Sequence, residues 1–513
     1  MSPLRQTLSW AFRPLPFLED CRARYGDAFG VKFLGFKTPM VMLSDPAAIK
    51  ALYTERGHGL PPGRNIFLEP ILGARSLLLL EGEDHMAHRK LMLPSFHGER
   101  MRALEPAVAE IVDAEIDSWR LGEEFALHPR MQAMTLEVIL RVVFGVSRGP
   151  RLERLRELLR GLLAETSSVG IQLLVLLRSR VRGAGRGVPA KVVNRMREVD
   201  DLLYAEIAEH RERGDLEERD DILSTLILGR FEDGSGMTDT DLRDQLMTLL
   251  LAGHETTATA LAWSFDLLLR HEAALTRLRD SLESGEDDYL RATISESLRL
   301  RPVVPLAGRR LGTELVAGDL RLPAGTDVTP AIWLVHTRPD VYAEPFAFRP
   351  ERFLENGPDT YSWIPYGGSV RRCLGAAFAE FEMRIALRAI LTRCEIRKAD
   401  PMPERVARRN VTLSPRDGAR VSSARAIRHA SAISSLPRRA RQPALCAAAR
   451  ACGCSFAQRA IVPEPEITSP SSRIRIGTSL VPLSFFTSAR SSSRLGQVQS
   501  LSLPPPTTLI SYS

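Results

Sequence analysis

The sequence has no long apolar run, few cysteines and no glycine-rich nucleotide signature, and each absence removes a class of function. A membrane-spanning helix needs about 18 or more consecutive apolar residues. Runs such as Leu77–Leu80 and Ile171–Leu177 fall well short, so no membrane span is expected. The opening MSPLRQTLSWAFRPLPFLEDC is broken by Arg and Pro. It reads as a short arm lying on a domain, not as a signal peptide or anchor. No G-x-G-x-x-G opens a nucleotide-binding unit, and no cysteine set suits an iron–sulfur cluster. The six cysteines, Cys21, Cys373, Cys394, Cys446, Cys452 and Cys454, are scattered, which suits a reducing compartment and places the chain in the cytoplasm. Cys452-Gly453-Cys454 lacks partner ligands at metal spacing.

The net charge of +7 suggests nucleic acid until it is located. Residues 422–513 hold eleven Arg, no Lys and two acids, Glu464 and Glu466, so they carry +9 and residues 1–421 carry −2. The basic excess belongs to the tail, and the core is not expected to bind nucleic acid. That tail, rich in Ser, Arg, Ala and Pro, lacks periodicity and cannot bury enough apolar surface to offset its ordering entropy. We therefore expect one domain over residues 1–421 and a disordered tail over 422–513.

Residues 29–43 alternate around Gly35 and read as a hairpin. Ser44-Asp45-Pro46 then caps a short helix. From Glu81 to Arg310 helical periodicity dominates. Short strands are expected over 314–335, a Pro-rich meander over 337–365 and a last amphipathic helix over Leu374–Arg393. The fold class is mainly α with a small β-sheet subdomain.

Thr238 and Asp241 form a capping box that opens a helix of about 30 residues, roughly 45 Å long. Apolar residues surround its middle, which marks a buried central helix. Gly253-His254-Glu255-Thr256-Thr257 interrupts that pattern. Thr256 could simply back-bond to the carbonyl at i−4. Alternatively the helix widens locally, Thr256 faces a water or dioxygen, and Glu255 relays protons. Downstream, YSWIPYGGSVRRCLG sets one cysteine in a Gly-rich loop just before a helix. Glycines allow close backbone approach, and a helix N-terminus favours the thiolate, the form that binds metals.

These motifs resemble the cytochrome P-450 superfamily. YGGSVRRCLG is similar to its haem-binding loop, AGHETT to its oxygen-activating motif, and Glu296-Ser297-Leu298-Arg299 and Pro350-Glu351-Arg352-Phe353 to its E-x-x-R and P-E-R-F segments. The resemblance covers residues 10–421 and implies a cytochrome P-450-like fold with the long helix over haem b (iron protoporphyrin IX). Cys373 would bind the iron, and Thr256 and Glu255 would serve catalysis. His85, Arg89, Arg371 and Arg309 would hold the haem propionates, and Tyr366, Gly367 and Gly375 would complete the cofactor loop. Glu296, Arg299 and Arg352 would form a buried ion network.

The implied activity is a monooxygenase that inserts one oxygen atom from O2 into a hydrophobic small molecule by C–H hydroxylation or epoxidation. Electrons would come from a separate ferredoxin or flavodoxin with an NAD(P)H-dependent reductase, docking near Arg372 and Arg384. A peroxide-driven enzyme and a haem-thiolate sensor are rival readings that need no acid–threonine pair. The pocket walls would come from Gly57–Arg75 with Phe67, Thr166–Val188, Leu249, Ala252 and Val303–Ala307. Two residues depart from the usual loop. Tyr366 stands where Phe is usual, so its hydroxyl needs a partner. Ser369 stands where Gly is usual, so the backbone there should avoid left-handed angles.

Overall fold

The computed structural model describes residues 1–424, apart from 35, 37, 56, 62–64, 97, 121, 146–148, 167–188, 356 and 410. Gly35, nearly all of the expected 166–188 pocket wall and the cysteines beyond position 424 lie outside the described residues, as does the side chain of Phe67.

The alternating segment forms the expected hairpin, Ala28–Val31 antiparallel to Met40–Leu43. Met40–Leu43 also runs parallel to Asp327–Pro330, which pairs with Arg309–Arg310, so one four-stranded sheet gathers segments distant in sequence. Asp45 caps the next helix, Pro46–Thr54, by accepting from Ala48 N, with proline in its first turn. The strands expected over 314–335 are Leu315–Ala317, Leu320–Leu322 and Asp327–Pro330, but Ile332–His336 is helical. All five residues of that turn are buried. A fully buried run carries no alternation that would separate strand from helix.

The central helix spans Asp239–Leu268, and both halves of the Thr238–Asp241 capping box are formed. It packs along the helix Leu127–Phe144, where Thr135 Oγ1 donates to the His254 carbonyl at 3.0 Å. Gly253 is there for that approach, since a Cβ would lie 3.1 Å from Ile139 Cδ1. The helix remains α throughout, without the expected local widening, and Thr256 Oγ1 donates back to the Ala252 carbonyl at 2.7 Å. Helical continuity survives because the hydroxyl bond is added to the backbone ladder.

Glu296 and Arg299 meet on the helix Asp288–Leu300, 2.7 Å apart and fully buried, and Arg352 reaches Glu296 at 3.0 Å. Arg299 also donates to the carbonyls of His336, Pro345 and Ala347. His336 continues the network, because its Nε2 accepts from Ile364 N at 2.9 Å. The helix interior is thereby tied to the start of the cysteine loop. The last helix begins at Ala376, two residues later than expected, and ends at Arg393.

The strand Arg420–Ala424 pairs with both Glu124–Ala126 and Glu395–Lys398, so the 421/422 boundary falls inside it. The compact unit extends over Met1–Ala430. Among the described residues, no helix is long and apolar enough to cross a membrane.

Candidate functional site

The cysteine loop is built by tight turns. Gly367 N donates to the Ile364 carbonyl and Cys373 N to the Tyr366 carbonyl at 2.9 Å. Gly367 is left-handed at φ 68°, a conformation glycine adopts without strain. Gly368 is extended, but its Cβ position lies 2.3 Å from the Tyr53 ring, so only glycine fits. Ser369 overturns the expectation made from its side chain, because its φ is 62°, within the left-handed region. The turn Ser369–Arg371 imposes that angle and stores roughly 1–2 kcal/mol.

Cys373 is accessible, although protein surrounds it closely enough that burial pushes its thiol up. The Gly375 N–H, Arg372 and Arg89 pull the other way but do not win. Glycine flexibility and the helix N-terminus alone therefore do not make the expected thiolate. A metal cation at the sulfur would deprotonate it outright.

His85 and Arg89 come from the helix Gly82–Met92, Arg309 from its short strand and Arg371 from the loop. The four converge. Burial, then Arg371, Arg89 and Arg309, push His85 down to about 4, so it is neutral at ordinary pH. Arg309 is also buried, lies 5.8 Å from the Tyr53 ring, and donates to the carbonyls of Gly308 and Gly368. Arg371 donates to the Leu80 carbonyl at 2.5 Å. Every charge that perturbs His85 is positive, so this grouping suits a strongly anionic partner. A flat dianion with a metal at Cys373 fits such a cradle. Ala252 is accessible in the middle of a helix buried on both sides of it, which adds an open face.

Glu255 is 15% exposed and faces away from a simple surface role. Gln132 Nε2 donates to its Oε2, and His128 Nε2 lies 3.8 Å from Oε1. His128 Nε2 also meets Thr259 Oγ1 at 3.0 Å. Burial raises the Glu255 carboxyl, while Gln132, Arg409 and Thr259 oppose the shift. His128, fully buried, is pushed down to about 3 by burial and then by Arg409 and His254. Gln132, His128 and Thr259 were not singled out from the sequence. The signal for His128 and Gln132 was present, since with Thr135 they fall at i, i+4 and i+7 on one face of a helix.

The Tyr366 hydroxyl faces the Glu380 carboxyl of the last helix but forms no hydrogen bond with it, so the partner its extra hydroxyl needs is not met among the described residues. Arg372 is exposed, with its guanidinium 5.9 Å from the Tyr366 ring. Arg384 is half-buried and ion-paired with Asp287 at 3.4 Å, so of the two expected docking arginines only Arg372 stands exposed.

Comparison with known proteins agrees with this geometry. The family model described as Cytochrome P450 matches residues 13–421. Cytochrome P450 135B1 of Mycobacterium tuberculosis is 41% identical over 452 residues, covering 86% of this chain and 93% of that protein. Cytochrome P450 137 of the same organism is 38% identical over 404 residues, covering 78% and 83%. Among solved structures, retinoic acid-bound cyanobacterial CYP120A1 superimposes with a TM-score of 0.70 at 23% identity, covering 82% of this chain and 96% of that one.

Proposed function

Because the chain belongs to the cytochrome P450 family of haem-thiolate monooxygenases, whose cofactor is haem b, we propose that Cys373 ligates the iron and that Glu255 and Thr256 manage protons for O2 activation. The observation that carries this reading is the convergence of Arg89, Arg309 and Arg371 on a neutral His85, beside a loop that leaves Cys373 accessible. Those four basic side chains would hold the propionates, and Tyr366, Gly367 and Gly375 would shape the thiolate side. When bound, the haem supplies cleavage of the O–O bond, promoted by thiolate electron donation.

The chain's own residues then control protons and access. The Thr256 hydroxyl donates its hydrogen bond to the Ala252 carbonyl, so its oxygen is presented as an acceptor to a water. Burial raises the Glu255 carboxyl, which favours its proton-carrying form, and its neighbours hold it in place. Leu249 and Val303 offer aliphatic walls, which support a hydrophobic small-molecule substrate undergoing hydroxylation or epoxidation. Electrons would arrive from a separate ferredoxin or flavodoxin and its NAD(P)H-dependent reductase, with exposed Arg372 at the docking face. Unpaired Cys21, Cys373 and Cys394 are in keeping with a reducing cytoplasm. We place the whole catalytic unit before residue 430 and treat the remainder as a dispensable tail.

The test is a carbon monoxide difference spectrum of the dithionite-reduced full chain, of residues 1–430 and of Cys373→Ser. A strongly red-shifted Soret band in the first two, absent from the variant, is expected. Haem retained with only the less shifted band in all three would remove Cys373 as ligand.

A further inference from the structure

The helix Pro3–Phe12 is mounted with its apolar stripe outward. Its inner side is tied down by polar groups: Lys32 N donates to Gln6 Oε1 at 2.9 Å and Leu34 N to Thr7 Oγ1 at 2.7 Å. Trp10 adds a ring contact with Phe33, centroids 5.9 Å apart. On the opposite side Leu4, Leu8 and Phe12, at i, i+4 and i+8, are 53%, 47% and 68% exposed. No residue of this helix is buried. An amphipathic helix normally turns such residues to the core. Here the attachment to the segment just past the strand Ala28–Val31 leaves them facing out, and a contiguous exposed apolar stripe marks an interaction surface.

We propose that this helix docks the protein, peripherally and reversibly, onto an anionic lipid surface. Charge selects that occupant. Arg5, Arg13 and Lys32 are exposed around the stripe, and the chain has no acidic residue before Glu19. Apolar residues flanked by basic ones suit the boundary between headgroups and acyl chains. A second copy would set Arg5 and Arg13 against their own kind, and three side chains fall short of the roughly 800 Å² per partner of a stable interface. The arginine-rich residues beyond 424 bring the same sign of charge and are equally poor occupants. Docking of this kind needs no spanning helix, and it would bring the enzyme to a phase in which hydrophobic compounds concentrate.

The experiment is sedimentation of the full chain with vesicles of phosphatidylglycerol and phosphatidylcholine in equal parts, at about 0.1 M and 0.5 M salt. It is run beside a variant carrying Leu4→Ser, Leu8→Ser and Phe12→Ser, and beside Leu8→Asp alone. All three side chains are exposed, so unfolding midpoints should be unchanged. The expected result is binding of the wild-type chain, with bound fraction about tenfold lower in the triple variant and clearly lower in Leu8→Asp. Binding by the basic tail alone would be equal in all three proteins and would vanish at the higher salt, and that outcome overturns the proposal. So does failure of the wild-type chain to bind, or a vesicle-free dimer that the serine substitutions dissociate.

Discussion

Gln132, on the helix Leu127–Phe144, donates its side-chain amide to the carboxylate of Glu255 on the central helix. The bond joins two helices that are also linked by Thr135 to the His254 carbonyl and by His128 to Thr259, and it opposes the effect of burial on the acid. Removing it leaves the carboxylate less stabilised and less well oriented. We expect Glu255→Gln to lower product formation about 100-fold, the scale of a lost proton-transfer group. Gln132→Leu should lower it about tenfold, release more peroxide per electron pair and move the limb of the pH–rate profile on which Glu255 loses its proton to higher pH. A Gln132→Leu enzyme with wild-type coupling and pH profile would reduce this contact to packing.

Ser369 offers a stability test inside the cysteine loop. Its left-handed angle is strained for serine and relaxed for glycine. Ser369→Gly should therefore stabilise the haem-loaded protein by about 1 kcal/mol, or ~2 °C in Tm for a domain of this size. A fall in Tm would show that the side chain contributes more than the strain costs.

The long helix, its capping box and the Glu296–Arg299 pair were legible because each is local: caps and i, i+3 pairs occur within one turn. The basic set around His85 was legible only through resemblance, since Arg309 lies 224 positions beyond it and no local rule links them. Gln132 and His128 announced a polar stripe but not the helix they would face. Ser369 failed for a different reason. Residue type predicts backbone angles only as a preference, and a loop fixed at both ends by Ile364, Tyr366 and the following helix can override it. The outward Leu4–Leu8–Phe12 stripe likewise has an ordinary amphipathic period. Which side it turns to solvent is decided by Gln6 and Thr7 meeting the backbone of Lys32 and Leu34, more than twenty residues on.

Buried neutral histidines should make the fold acid-sensitive. His128, His254 and His336 are pushed down to about 3, 4 and 3, mainly by burial. Below the ordinary imidazole value of 6.5 the unfolded chain takes up protons that the folded chain refuses, so stability falls as pH drops through that range. Each fully protonated unfolded histidine contributes about 1.4 kcal/mol per pH unit. The urea midpoint should decline clearly between pH 7.5 and 5.5. His336→Gln should flatten part of that decline if its amide keeps the bond to Ile364 N. An unchanged midpoint across this range would contradict neutral burial.

Glu382 predicts the opposite dependence. It lies on the helix Ala376–Arg393, nine residues past Cys373, with 1% exposure and one carboxyl oxygen unpartnered. Burial alone raises it well above the usual carboxylate range. A carboxyl raised in this way binds its proton more tightly folded than unfolded. Stability is therefore lost progressively as pH climbs from about 4.5 toward the folded-state value. Glu382→Gln keeps the shape and removes the titration. The Tm gain over wild type should be near zero at pH 4.5 and about 2–4 °C at pH 8. A loss of Tm equal at both values would mean that the protonated acid makes a hydrogen bond the amide cannot replace, and that its charge never enters the balance.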